Sequence, residues 1–179
     1  MEPKCEFCPL YDKFRCKTPE QAAGCSHYRK DEEVTRQERW DKQYMQIARN
    51  WAELKSKDPS TKVGAIVVDQ YNNIVGMGYN GFPKGVLDLE ERYNDRQTKY
   101  QFVVHAEANA IITGGHQCRG ATLYNWPLFS CNECAKLVIQ SGIVRVVSPK
   151  PNEERWLSSY DVALKMYEEA GVKVTFYNV

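Results

Sequence analysis

Trp40, Tyr44, Ile47, Ala48 and Trp51 recur at intervals of three and four, the period at which side chains share one face of a helix. The spacing predicts an amphipathic helix over 36–56, opened by Thr35 with Glu38 as a capping box and stopped at Asp58-Pro59. The period then changes. "KVGAIVVD" (62–69) is an unbroken run rich in β-branched residues, the mark of a well-buried strand. "QYNN" makes a turn, and "IVGMGYN" (74–80) returns as the second strand of a hairpin. Residues 81–99, beginning "GFPKG" and rich in charge, break the pattern and predict a long loop or a short helical piece, a length that signals function in a compact domain. From His105 to about Thr113, alanine and isoleucine favour a buried helix ended by Gly114-Gly115. "ATLY" (121–124), "IVRVVS" (143–148) and "VKVTFY" (172–177) read as three further strands. Between them, 132–141 is a helix closed by Gly142, and Ser158 with Asp161 opens a last helix whose face is Leu164, Tyr167 and Ala170. After the first helix the order β-β-α-β-α-β-α-β predicts an α/β protein with a mixed sheet and helices on both faces.

Residues 1–34 stand apart. Cys5, Cys8, Cys16, Cys25 and His27 lie among Pro, Lys and Glu with few aliphatics. This predicts a Cys-rich N-terminal segment, 1–34, ahead of one domain over 35–179. The 179 residues suffice for one sizeable core and are short for two.

Lys plus Arg is 24 against Asp plus Glu at 23, a net charge of +1. That balance gives no broad footprint for a polyanion, so no nucleic-acid partner is expected, while a small anion needs only a local cluster. No stretch approaches the roughly 18 consecutive apolar residues of a membrane span, and "MEPKCEFCPLYDKFRC" has no apolar core resembling a secretory signal. No membrane association is expected. The seven cysteines are an odd number for a disulfide framework; they read as reduced thiols in a cytoplasmic setting, where close pairs bind metal or do chemistry.

Two motifs carry that chemistry. "HAEANAII" (105–112) places a histidine and a carboxylate at the start of a helix, and "FSCNECAK" (129–136) places two thiols three apart at the start of another. A catalytic zinc takes three protein ligands and keeps one position open; His105, Cys131 and Cys134 meet that requirement. Two helix N-termini would supply partial positive charge that stabilises thiolates. Glu107 is then the carboxylate beside the metal but not bound to it, suited to carry a proton from the attacking water to a ring nitrogen and then to a departing amine, work worth about 10²–10⁴-fold. An isolated His-Ala-Glu is otherwise a helix start, and an isolated Cys-x-x-Cys a redox pair or structural zinc knuckle; the combination is far more specific.

His-x-Glu followed by Cys-x-x-Cys is the signature of zinc-dependent nucleobase deaminases. With "DPSTKVGAIVV", "GYNGFPKG", "VVHAEANAI" and "CAKLVIQSGI", the chain over 40–177 resembles the deoxycytidylate (dCMP) deaminase family. The resemblance implies a three-layer α/β/α cytidine deaminase-like fold with a five-stranded mixed sheet, and hydrolytic deamination of dCMP to dUMP and ammonia, supplying thymidylate synthesis. It places "DPSTK" at the active site, with Ser60, Thr61 and Lys62 as a phosphate cradle, against an ordinary turn on the residues alone. It matches Asn80 to a residue that contacts the sugar hydroxyl and puts Ala106 in the site. Tyr124, Trp126 and Phe129 would flank the pyrimidine or fill the core. It also implies a hexamer activated by dCTP and inhibited by dTTP, with an effector site near Gly81, Phe82 and Lys84, in the cytoplasm of a cell or of a virus's host. The family usually has proline directly before the first motif cysteine; this chain has Ser130, with the nearest proline at Pro127, and the loop is one residue longer.

Cys5, Cys8, Cys16 and Cys25, with His27 as an alternative ligand, would form a second, structural zinc site organising a segment too poor in aliphatics for its own core, against free thiols in a loose tail. His116 and Cys118 read as loop surface with an outside role as ligands. Two other functions stand beside the leading one: a deaminase acting on a base in a polynucleotide, of the tRNA-adenosine type, and a zinc-stabilised binding module without catalysis. Glu107 speaks against the last, since a purely structural site has no use for an unligated acid.

Overall fold

The computed structural model describes residues 26–152 and 154–177, with side chains from Arg36 onward. Cys5, Cys8, Cys16 and Cys25 fall outside the described residues, and His27 is placed by its backbone alone. The chain divides after Trp40 into two units. What is described of the first is the opening of helix α1 (Ser26–Lys55). That helix starts ten residues before the expected boundary, so Thr35 and Glu38 lie inside it and not at its start. The stretch "SHYRKDEEVTRQERW" holds neither Gly nor Pro, so nothing in it breaks a helix.

The second unit, 41–179, is built on a sheet of β1 (Gly64–Val68), β2 (Ile74–Tyr79), β3 (Thr122–Trp126), β4 (Arg145–Pro149) and β5 (Lys173–Tyr177), in the order β2-β1-β3-β4-β5. β1 runs antiparallel to β2 and β3, while β3, β4 and β5 are parallel. The mixed five-stranded sheet is therefore as expected. The helices are α2 (Glu90–Asn94), α3 (Arg96–Phe102), α4 (Ala106–Gly114), α5 (Asn132–Gln140) and α6 (Leu157–Glu169). The charged stretch 81–99 folds as α2 and α3, the second capped by Asp95, whose carboxylate accepts from the Gln97 and Thr98 N–H groups. Ser158 opens no capping box: α6 starts at Leu157 out of a 3-10 turn, Glu154–Trp156, with Trp156 at the cap.

Alternation along the strands assigns the two faces. On one, Gly64 meets the α1 backbone, where an added Cβ would lie 2.1 Å from the Ala48 carbonyl. Tyr124 packs its ring on Tyr44 of α1 at 5.1 Å and donates to Asp41, which also holds Arg145 through two hydrogen bonds. On the other face, Ala65, Val67, Leu123 and Val146 form the core with Ala106, Ala110, Ala135, Val138 and Ala163 from α4, α5 and α6. Gly76 and Gly78 of β2 let α4 lie against the sheet: Cβ atoms there would sit 2.3 and 2.1 Å from the Ala110 and Ala106 carbonyls. This close approach fixes the start of α4, and with it His105 and Glu107, over β1 and β3.

Candidate active site and metal centre

His105 is the N-cap of α4 and Cys131 the N-cap of α5. The two helix N-termini converge. His105 Nδ1 lies 3.5 Å from Cys131 Sγ and 3.3 Å from Cys134 Sγ, and the three donor atoms all fall within 4.8 Å of one another. A tetrahedral zinc with sulfur at about 2.3 Å and nitrogen at about 2.0–2.1 Å needs its S and N donors about 3.5 Å apart. The three residues fit the ion. Neither motif thiol is in a disulfide.

The electrostatics favour a cation in the same place. The Cys131 thiol is drawn down to about 4 by the hydrogen bond from the Cys134 thiol, then by His105 and the Cys134 backbone N–H. His105 is pushed up to about 9 by its bond to Cys131, against the opposing effect of burial. Cys134 is raised, chiefly because it holds its proton toward Cys131; a metal would take that proton's place. Glu107, 4% exposed, is raised by burial, with His105 opposing. It is near the donors without being one of them.

His105, Glu107 and Cys131 line a cavity of about 460 Å³, a size that takes a small molecule. Ser60, Thr61, Asn80 and Ala106 line it. Asn80, however, is saturated: its carboxamide donates to Asp58 and the Thr61 carbonyl and accepts from the Val63 N–H and the Ser56 hydroxyl. It is a strut of the cavity wall rather than an open hydrogen-bonding group. Asp58 is likewise engaged, accepting from Ser60 and Thr61 N–H groups and pairing with Lys99 at 3.0 Å, both side chains buried.

Other expected residues lie elsewhere. Lys62 is absent from the lining and donates to the Glu53 carbonyl. Tyr124 points to the opposite sheet face, because its alternation in β3 matches Ile66 rather than Ala65. Trp126 does not line the cavity either, whereas Phe129 does, while also packing on Tyr160 and Tyr167. Gly81 bridges to Val104, Phe82 stacks on Tyr93 at 4.2 Å, and Lys84 is exposed. Cys118 is buried with its thiol toward the Ile111 carbonyl. His116 is exposed.

The cavity also draws on residues that the sequence did not single out. Arg96, Lys99 and Tyr100 come from α3, and Arg155 and Trp156 from the turn before α6. Tyr100 and Trp156 meet edge to face at 6.2 Å. In sequence these sit in a charged stretch and in a loop beyond β4, with no spacing that ties either to the zinc motifs; only the charge of 81–99 hinted at a role.

A three-layer α/β/α fold whose paired helix N-termini offer one imidazole, two thiols and an unligated acid defines the class of zinc-dependent base deaminases. The chain belongs to the family marked by the cytidine and deoxycytidylate deaminase zinc-binding region, whose model matches residues 38–149. It is 38% identical over 144 residues to an uncharacterized deaminase from the luxG 3′ region of Aliivibrio fischeri, covering 77% of this chain and 93% of that one. With mouse deoxycytidylate deaminase it shares 45% identity over 114 residues, 60% of this chain but 63% of the mouse protein, less than two thirds of its length. Among solved structures, the apo dCMP deaminase of cyanophage S-TIM5 superposes with a TM-score of 0.59 at 25% identity, covering 76% of this chain and 96% of that chain. No helix among the described residues is long and apolar enough to cross a membrane.

Proposed function

We propose that this protein deaminates dCMP to dUMP and ammonia. The observation that carries the reading is the placement of buried Glu107 beside, but outside, the His105–Cys131–Cys134 donor set. Those three residues would hold a zinc ion, whose Lewis acidity would make water nucleophilic near neutral pH. Glu107 takes one proton of the water that attacks C4 and delivers it to N3 of the ring; the carboxylate so regenerated takes the remaining hydroxyl proton of the C4 adduct and gives it to the amine, which leaves as ammonia while the C4 carbonyl forms. A carboxyl raised by burial can hold a proton between these steps.

A mononucleotide, rather than a base within a chain, is favoured by the cations around the cavity. Arg96 and Arg155 reach it from separate elements, and Ser60 and Thr61 add hydroxyls. A planar guanidinium matches a phosphate better than an ammonium does. The net charge of +1 offers no basic stripe for a polynucleotide.

The test is a spectroscopic assay with dCMP, CMP, deoxycytidine and a tRNA hairpin. Turnover of dCMP well above the others is expected, and Arg96→Gln should raise KM for dCMP by roughly 10-fold, the loss of one charge-assisted hydrogen bond, while leaving deoxycytidine unaffected. Activity confined to the hairpin would overturn the reading. Regulation by dCTP and dTTP, and assembly into a hexamer, rest on the sequence resemblance. A hyperbolic velocity curve indifferent to both triphosphates removes the regulatory part.

The N-terminal cysteines Cys5, Cys8, Cys16 and Cys25 add a structural zinc to the proposal. Metal analysis of the full chain should then find two zinc equivalents, of which Cys131→Ser removes one. A single equivalent that vanishes with Cys131→Ser would dispose of the second site.

A further inference from the structure

Asn125 sits in β3 opposite Ala65, on the sheet face it shares with Val67 and Leu123. It is 0% exposed. A carboxamide is a poor choice for an apolar face unless its hydrogen bonds are made. Its Nδ2 donates to Ser130 Oγ at 2.7 Å and to Glu107 Oε1 at 3.4 Å. Its Oδ1 has no partner. A leucine of similar size would have left no orphaned acceptor, so packing does not account for the amide. Ser130 is also fully buried and directly precedes the ligand Cys131. It stands where the resembled family usually has proline, a residue whose side chain accepts no hydrogen bond.

We propose that Asn125 is a positioning residue for Glu107: Nδ2 fixes one oxygen of the carboxylate, and Ser130 fixes the amide. The proposal rests on the role of Glu107 given above. One N–H donated to Oε1 leaves the other oxygen as the proton carrier and restricts rotation about the last bond of the side chain. Ser130 Oγ, anchored in the loop that delivers Cys131, ties that orientation to the position of a zinc ligand. Glu107 comes from α4 and Cys131 from α5, so the amide joins the two halves of the site from the strand between them.

The experiment is a double-mutant cycle on the full chain with its zinc, reading kcat, KM, zinc content and Tm. Asn125→Leu should lower kcat for dCMP by about 10- to 100-fold, as loss of supporting contacts around a metal site does. KM and zinc content should hold, and Tm should stay level or rise because the orphaned acceptor is gone. Ser130→Ala should lower kcat about fivefold, and the double variant should be within about twofold of Asn125→Leu alone. Additive losses, zinc loss, or a fall in Tm matching the fall in kcat would assign Asn125 a structural part and overturn the proposal. Should Asn125→Leu prove insoluble, Ser130→Ala decides alone: wild-type kcat there overturns it. If the wild-type chain deaminates no cytosine compound, or Glu107→Gln keeps turnover, the reading of the site has failed instead. An active wild type beside an unaffected Asn125→Leu refutes the positioning role alone.

Discussion

Glu107→Gln is expected to abolish turnover of dCMP, lowering kcat by about 10²–10⁴-fold, the range general acid–base groups supply, while keeping the zinc of the His105–Cys131–Cys134 set. The amide is close in shape, so α4 keeps its course over Gly76 and Gly78 and the three donors keep their separations. What is lost is the group that accepts and returns a proton. Stability of the zinc-stripped protein gives an independent check on the same variant, since a bound cation would itself favour the charged carboxylate. Burial lifts the Glu107 carboxyl above its ordinary value, so in the folded state the charged form is disfavoured. The native protein then holds this proton more tightly than the unfolded chain does. Its contribution to stability falls as pH rises from the ordinary carboxylate range through the raised value. A neutral amide escapes that loss, so Tm at neutral pH should not fall. Metal analysis and kcat on the loaded protein, with Tm on the zinc-stripped protein, suffice; substantial activity, or loss of zinc, would contradict the assignment.

Lys99→Met should produce the largest loss of stability. Lys99 and Asp58 pair at 3.0 Å with side chains only 7% and 5% exposed. Removing one member of a buried pair leaves the other charge without compensation, at a cost of about 3–5 kcal/mol. For a unit of this size that corresponds to a fall in Tm of roughly 10 °C. Asp58 keeps the Ser60 and Thr61 N–H groups and the Asn80 amide, which places the effect toward the lower end. The second variant, Lys99→Met with Asp58→Asn, should recover part of the loss because no buried charge is left and the neutral side chain retains an oxygen for the two N–H groups, while its NH2 takes the place of the acceptor of the Asn80 amide. Thermal unfolding of the single and double variants decides. A single variant as stable as wild type would mean that the pair is solvated in solution.

The legible part of this protein was periodic or local. β1 announced itself as an unbroken β-branched run, and α4 and α5 were bounded by residues that cap helices. His105, Glu107, Cys131 and Cys134 are readable because zinc chemistry demands particular atoms, and because a helix N-terminus places residues one to four apart within reach of one ion. Ser60, Thr61 and Ala106 were found through resemblance and do line the cavity.

Tertiary structure decided the rest, because burial and pairing depend on partners far along the chain. Asn80 had the right identity for a sugar contact, yet Ser56, Asp58, Thr61 and Val63 converge on its carboxamide and saturate it. Tyr124 is one residue from Asn125, and strand alternation sends it to Asp41 and Tyr44 instead of the site. Arg96 and Arg155 are 59 positions apart, and only the fold brings both to one cavity. The sequence by itself determined which atoms are offered to bind a metal and to move a proton, since those are fixed by chemical type at short range. Which side chains surround them was settled by the packing of α4 and α6 on the sheet and by where the chain places α3 and the turn before α6, a long-range outcome that no local period encodes.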